Sequence, residues 1–131
     1  MTSILLVDDE APIVEVLSRT LRARGFVVRV AMTGKDALFA LTEAVPDVLL
    51  LDINLPDLTG WEVLRRLSPV DRARVPVIVF SASPLAPSRV AEFRPAGVLI
   101  KPFPVDALVR LIQETAAGRD RSTEKESTAR A

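Results

Sequence analysis

Short aliphatic runs alternate along the chain with longer stretches whose apolar residues recur at helical spacing. Ile4 to Val7 is the first run, and it stops at Asp8. Ala11 to Arg24 follows with Ile13, Val14, Val16, Leu17 and Leu21 near helical period. Pro12 suits a first helical turn, where its missing N–H is no loss, and Gly25 suits the position just past a helix end. Phe26 to Ala31 reads as a second strand, and Thr33-Gly34 opens a second helix running to about Ala44, before Pro46. Val48 to Leu51 is again wholly aliphatic and stops at Asp52. A third helix is predicted from about Gly60 to Leu67, a fourth strand from Pro76 to Phe80, a fifth from Val98 to Ile100, and a last helix from Val105 to Ala116. Ser83 to Pro95 carries only a weak pattern, and no internal repeat is present.

Strands apolar on both faces belong to parallel sheets covered by helices. Five such β-then-α units predict an α/β fold, a doubly wound five-stranded parallel sheet with right-handed crossovers. The expected domain covers residues 1–117, and the polar, charged stretch 118–131 is expected to be a disordered tail.

Composition narrows the chemistry. The 131 residues suit one domain, and 49% hydrophobic content is ample for its core. Acidic and basic residues balance at 17 each, which argues against a broad basic face for nucleic acid. Without cysteine or histidine there is no disulfide, thiolate site or imidazole catalysis, and carboxylate, hydroxyl, amine and backbone groups remain. No basic segment precedes the first apolar run and no run is long enough to span a bilayer, so a cytoplasmic protein is expected.

In doubly wound sheets ligands bind beyond the carboxyl ends of the strands. Strands one, three, four and five end at Asp8-Asp9, Asp52, Ser81 and Lys101. Taken singly, each is an ordinary turn residue, and Lys101-Pro102 an ordinary loop start. Their coincidence on one sheet edge is what carries meaning. Clustered carboxylates stay ionised when a cation joins them, and hard oxygen donors suit Mg²⁺, or Mn²⁺ in its place. An aspartate beside such an ion is a nucleophile toward phosphorus, a lysine neutralises the transferring group, and a serine hydroxyl hydrogen-bonds it afterwards.

The motifs Leu5-Leu6-Val7-Asp8-Asp9-Glu10, Leu50-Leu51-Asp52-Ile53-Asn54-Leu55-Pro56, Gly60, Phe80-Ser81-Ala82 and Lys101-Pro102-Phe103 give a chain that resembles a response regulator receiver domain of two-component signalling, of single-domain type. The resemblance covers about residues 3–117 and implies a flavodoxin-like (βα)5 fold. It implies that Asp52 accepts a phosphoryl group from a sensor histidine kinase or a histidine phosphotransfer protein. Asp9 would ligate Mg²⁺ directly, Asp8 through water and Asn54 through its carbonyl, with Ser81 and Lys101 on the phosphoryl group. The expected protein is a monomer or weak dimer and a switch rather than an enzyme. It would act on an output protein, with no nucleic acid or membrane as partner.

Two departures stand out. Receivers usually carry an aromatic three residues before the lysine, where this chain has Val98, too short and too stiff at χ1 to swing like a ring. Pro84, Pro87 and Pro95 crowd the stretch before strand five, so the fourth helix is expected to be short or irregular and the output face altered. Phe103 is expected under the last helix. Phe93 is a candidate to fill the space of the absent aromatic. Two alternatives remain at this level: a degenerate receiver that binds constitutively, and a phosphatase of the haloacid dehalogenase type. The latter typically has a second aspartate where this chain has Asn54.

Overall fold

The computed structural model describes the backbone of residues 1–130 and the side chains of residues 1–118. The stretch expected to be a disordered tail lies almost wholly outside the described side chains. The strands are β1 (Ser3–Val7), β2 (Val27–Ala31), β3 (Val48–Asp52), β4 (Val77–Ser81) and β5 (Gly97–Ile100). The helices are α1 (Ala11–Ala23), α2 (Gly34–Glu43), α3 (Gly60–Arg65), α4 (Pro69–Arg74), α5 (Pro87–Phe93) and α6 (Val105–Arg130).

All strand pairs are parallel, in the order β2-β1-β3-β4-β5. The chain steps outward from β1 to β2 and then returns to β3, so the topological switch point lies between β1 and β3. Asp8 and Asp52 end those two strands. Alternate strand residues fill two cores. Leu5, Val7, Leu49, Leu51, Val77 and Val79 pack with Ala37 and Leu41 of α2 and Trp61, Val63 and Leu64 of α3. Ile4, Leu6, Leu50, Ile78 and Phe80 pack on the other face with Val14, Leu17 and Leu21 of α1 and Leu108, Val109 and Ile112 of α6. Phe103 joins this second core, its ring 5.0 Å from that of Phe80.

Local signals explain the element ends. Gly25 takes φ 92°, and the amides of Gly25 and Phe26 donate to the carbonyls of Arg22 and Leu21, a glycine-based helix stop. The expected short fourth helix is α5, seven residues held between Pro87 in its first turn and Pro95 just beyond its end. Arg94 closes it in the left-handed region at φ 47°, the residue before a proline being turned away from helix. The helix α4 was not expected. Ser68 caps it by accepting from the Asp71 amide at 3.1 Å and Pro69 occupies its first turn, but it buries no residue, so no apolar period announces it.

Candidate functional site

The carboxyl end of the sheet brings Asp8, Asp52, Ser81 and Lys101 to one edge. Asp8, Asp52 and Ser81 are all buried at 3% exposure or less, unusual for carboxylates without a partner. The partner of the two carboxylates is Lys101, on the loop after β5. Its Nζ lies 2.8 Å from Asp8 Oδ2 and 3.0 Å from Asp52 Oδ2, and 3.6 Å from Glu10 Oε1. Backbone amides hold the other carboxylate oxygens: Glu10 N–H donates to Asp8 Oδ1 at 3.0 Å, and Asn54 N–H to Asp52 Oδ1 at 2.9 Å.

Carboxylate oxygens of Asp8, Glu10 and Asp52 lie within 4.8 Å of one another. Asp9 is exposed and outside this group, and Glu10, which the sequence reading left without a role, is inside it. The backbone turn after β1 decides this. The only advance signal was the third acid in Asp8-Asp9-Glu10. Asn54 is exposed on the loop after β3, where it bridges to Thr59. Ser81 stands beside Ile100 in the sheet, but its hydroxyl donates to the Ser83 carbonyl and accepts from the Ser83 amide.

Burial pushes the Asp52 carboxyl above the ordinary aspartate range and the Asp8 charge adds to it. The Asn54 amide and the Lys101 ammonium pull the other way without cancelling it. Burial also works against the Lys101 ammonium, but its hydrogen bonds to Asp8 and Asp52 outweigh this and hold its pKa above the usual lysine value. The lysine therefore stays charged at neutral pH.

Three carboxylates against one ammonium leave an excess of negative charge that a divalent ion would balance. The donor set is hard oxygen, part buried and part open to water through Glu10, which fits Mg²⁺.

Beside the site, Trp61 of α3 stacks on Phe93 of α5, ring centroids 5.1 Å apart at 17°. The Arg65 guanidinium lies over the Phe93 ring at 5.3 Å and pairs with Glu62 and Glu92. Phe93 thus fastens α5 to α3, while Val98 on β5 is 37% exposed.

Comparison with known proteins agrees with this geometry. The family model described as the response regulator receiver domain matches residues 4–113. The transcriptional regulatory protein PrrA of Mycobacterium tuberculosis is 41% identical over 113 residues, which cover 84% of this chain and 48% of PrrA. KdpE of the same organism is 41% identical over 109 residues, 81% of this chain and 47% of that protein. The chain thus spans about half the length of the curated relatives it matches. Among solved structures, the chemotaxis response regulator CheY4 of Vibrio cholerae superposes with TM-score 0.80 at 27% identity, covering 88% of this chain and 98% of that one. TrrA of Thermotoga maritima, determined in complex with Mg²⁺-BeF, gives 0.78 at 27% identity, covering 88% and 99%.

Proposed function

The chain belongs to the receiver domain family of two-component response regulators, and on that premise we propose that Asp52 is its phosphoacceptor. The observation that carries this reading is the Lys101 ammonium bridging two buried carboxylates, Asp8 and Asp52, at the switch point of the sheet. The phosphoryl donor is a phosphohistidine on a sensor kinase or phosphotransfer protein. An Asp52 carboxylate oxygen attacks phosphorus, the bond from phosphorus to the donor nitrogen breaks, and the histidine leaves with that electron pair and takes up a proton.

Each residue has a task in this step. Asn54 N–H and Lys101 aim the two oxygens of Asp52 before the donor arrives. Lys101 keeps its proton and pairs with the incoming phosphoryl oxygens. Ser81 exchanges its bond to Ser83 for one to the phosphoryl group. Asp8 and Asp52, the Asn54 carbonyl, and a further acid from Asp9 or Glu10 would hold Mg²⁺. The ion supplies charge neutralisation for the transferring group. The fit of the donor set and the Mg²⁺-BeF complex of the TrrA relative support it. Titration with Mg²⁺ compared across Asp9→Ala and Glu10→Ala identifies the further acid by which variant weakens binding.

The output is a changed protein-binding surface on residues 1–117, the proposed extent of the receiver domain. The test is intact-mass measurement after incubation with acetyl phosphate and Mg²⁺. One added phosphoryl group on the wild type and none on Asp52→Asn supports the assignment; an unmodified wild type sinks it.

A further inference from the structure

The loop between β3 and α3 is pinned at both ends. Asn54 N–H donates to Asp52 Oδ1, Gly60 N–H donates to the Ile53 carbonyl at 2.8 Å, and Asn54 pairs with Thr59 in an isolated bridge. Its tip is held by a different element. Asp57 Oδ1 accepts from Gly34 N–H at 2.7 Å and from Leu58 N–H at 2.9 Å, and its Oδ2 accepts from Lys35 N–H at 3.0 Å.

Gly34 and Lys35 are the first two residues of α2, so their amides lack acceptors within the helix. Thr33 already serves the Asp36 amide at 3.0 Å, which leaves these two for Asp57. A carboxylate also complements the positive end of a helix. The approach is close: a Cβ on Gly34 would stand 2.9 Å from Leu58 Cβ and 3.1 Å from Asp57 Oδ1. Gly34 and Asp57 are therefore two halves of one clasp.

We propose that Asp57 is a positioning residue for phosphoryl acceptance. By clasping the loop tip to the start of α2, it holds Asn54 against Asp52 and so sets the aim of the acceptor carboxylate. The proposal rests on the phosphoacceptor reading of Asp52. Asp57 touches no reacting atom and acts through the loop backbone. The hydrogen bond from Gly34, with those from Lys35 and Leu58, holds its carboxyl below the usual aspartate range, so the clasp is ionised at neutral pH. Releasing it frees the loop tip, so that Asn54 is held against Asp52 only from the strand end and through its bridge to Thr59. Catalytic geometry is sensitive to shifts of about 1 Å, so a loosened Asn54 is enough to slow transfer.

A residue that only capped α2 would change the unfolding midpoint and nothing else in the folded protein. The experiment compares the full chain with Asp57→Ala, Asp57→Asn and Gly34→Ala, at a temperature where all are folded. It measures the rate of modification by acetyl phosphate at saturating Mg²⁺, the Mg²⁺ dissociation constant from Trp61 fluorescence, and the urea midpoint. Asp57→Ala is expected to slow modification roughly tenfold and to weaken Mg²⁺ binding by roughly tenfold. Asp57→Asn recovers much of both, because its Oδ1 still accepts from Gly34. Gly34→Ala reproduces the loss from the other side, and the double variant is little worse than either single one. Wild-type rate and Mg²⁺ affinity in Asp57→Ala and Gly34→Ala, with only the midpoint lowered, would overturn the proposal. A wild type that takes up no phosphoryl group overturns the reading of Asp52 instead, and the Mg²⁺ titrations still decide on the clasp.

Discussion

β3 and β5 each deliver one residue to the same edge of the sheet, Asp52 and Lys101, and they are held very differently. All five residues of β3 are buried, with ladder bonds to β1 on one side and β4 on the other. β5 is the sheet's edge, paired only with β4, and its Val98 and Ile100 are exposed. The helix before it, α5, buries no residue fully and hangs on Phe93. Asp52 is thus placed by a core that over-determines it. The lysine rides on a segment at the low-stability end of the molecule, and its bonds to Asp8 and Asp52 tie that segment to the centre. On the proposed reading of Asp52, a phosphoryl group there would take over one partner of Lys101, and the response would fall on β5 and α5, where little packing opposes it.

This difference is open to attack at several strengths. The largest expected effect is chemical: Asp52→Asn loses all modification by acetyl phosphate, while Val98→Ala keeps the wild-type rate, both read by intact mass. Next is packing. Phe80→Ala in β4 is expected to cost roughly 3–5 kcal/mol, and Ile100→Ala on the edge less than about 1 kcal/mol, by urea unfolding. Similar costs would erase the distinction between centre and edge. Phe93→Leu removes the stack on Trp61 and is expected to cost on the order of 1 kcal/mol. It should also abolish any change in Trp61 emission that accompanies α5 movement on phosphorylation. A retained change would place the response elsewhere.

The pH dependence gives a subtler test. Burial raises the Asp52 pKa in the folded state, so between the unfolded and folded values the native protein binds more protons than the unfolded chain. The contribution of this group to stability is full below the ordinary aspartate range and is lost as pH rises through the folded value. In the absence of Mg²⁺, Asp52→Asn should gain stability relative to wild type at neutral pH, and the gain should shrink on acidification. A gain that grows in acid would contradict the desolvated state assigned to Asp52.

Much of this was legible in one dimension. Aliphatic runs ending at Asp8, Asp52, Ser81 and Lys101 gave both the strands and the edge where they meet, because strand termini follow from local hydrophobic pattern. Gly25 and the prolines around α5 marked their boundaries because backbone limits are local. The helix α4 escaped because its only signals are Ser68, Pro69 and Asp71, with no buried face behind them. The stack of Phe93 on Trp61 joins two helices 32 positions apart in the chain, and no local pattern announces it.

The amino-acid sequence by itself determined the number of βα units, the identity of the acids and the lysine at their ends, and the shortness of α5, since each rests on neighbours along the chain. Tertiary structure alone decided which groups meet. The turn after Asp8 brings Glu10, not Asp9, to the cluster. Ser81 is turned toward Ser83, and Asp57 closes on Gly34 and Lys35 across 23 and 22 positions of chain. Such contacts depend on where separate elements come to lie, and packing of the two cores on the sheet is what fixes that.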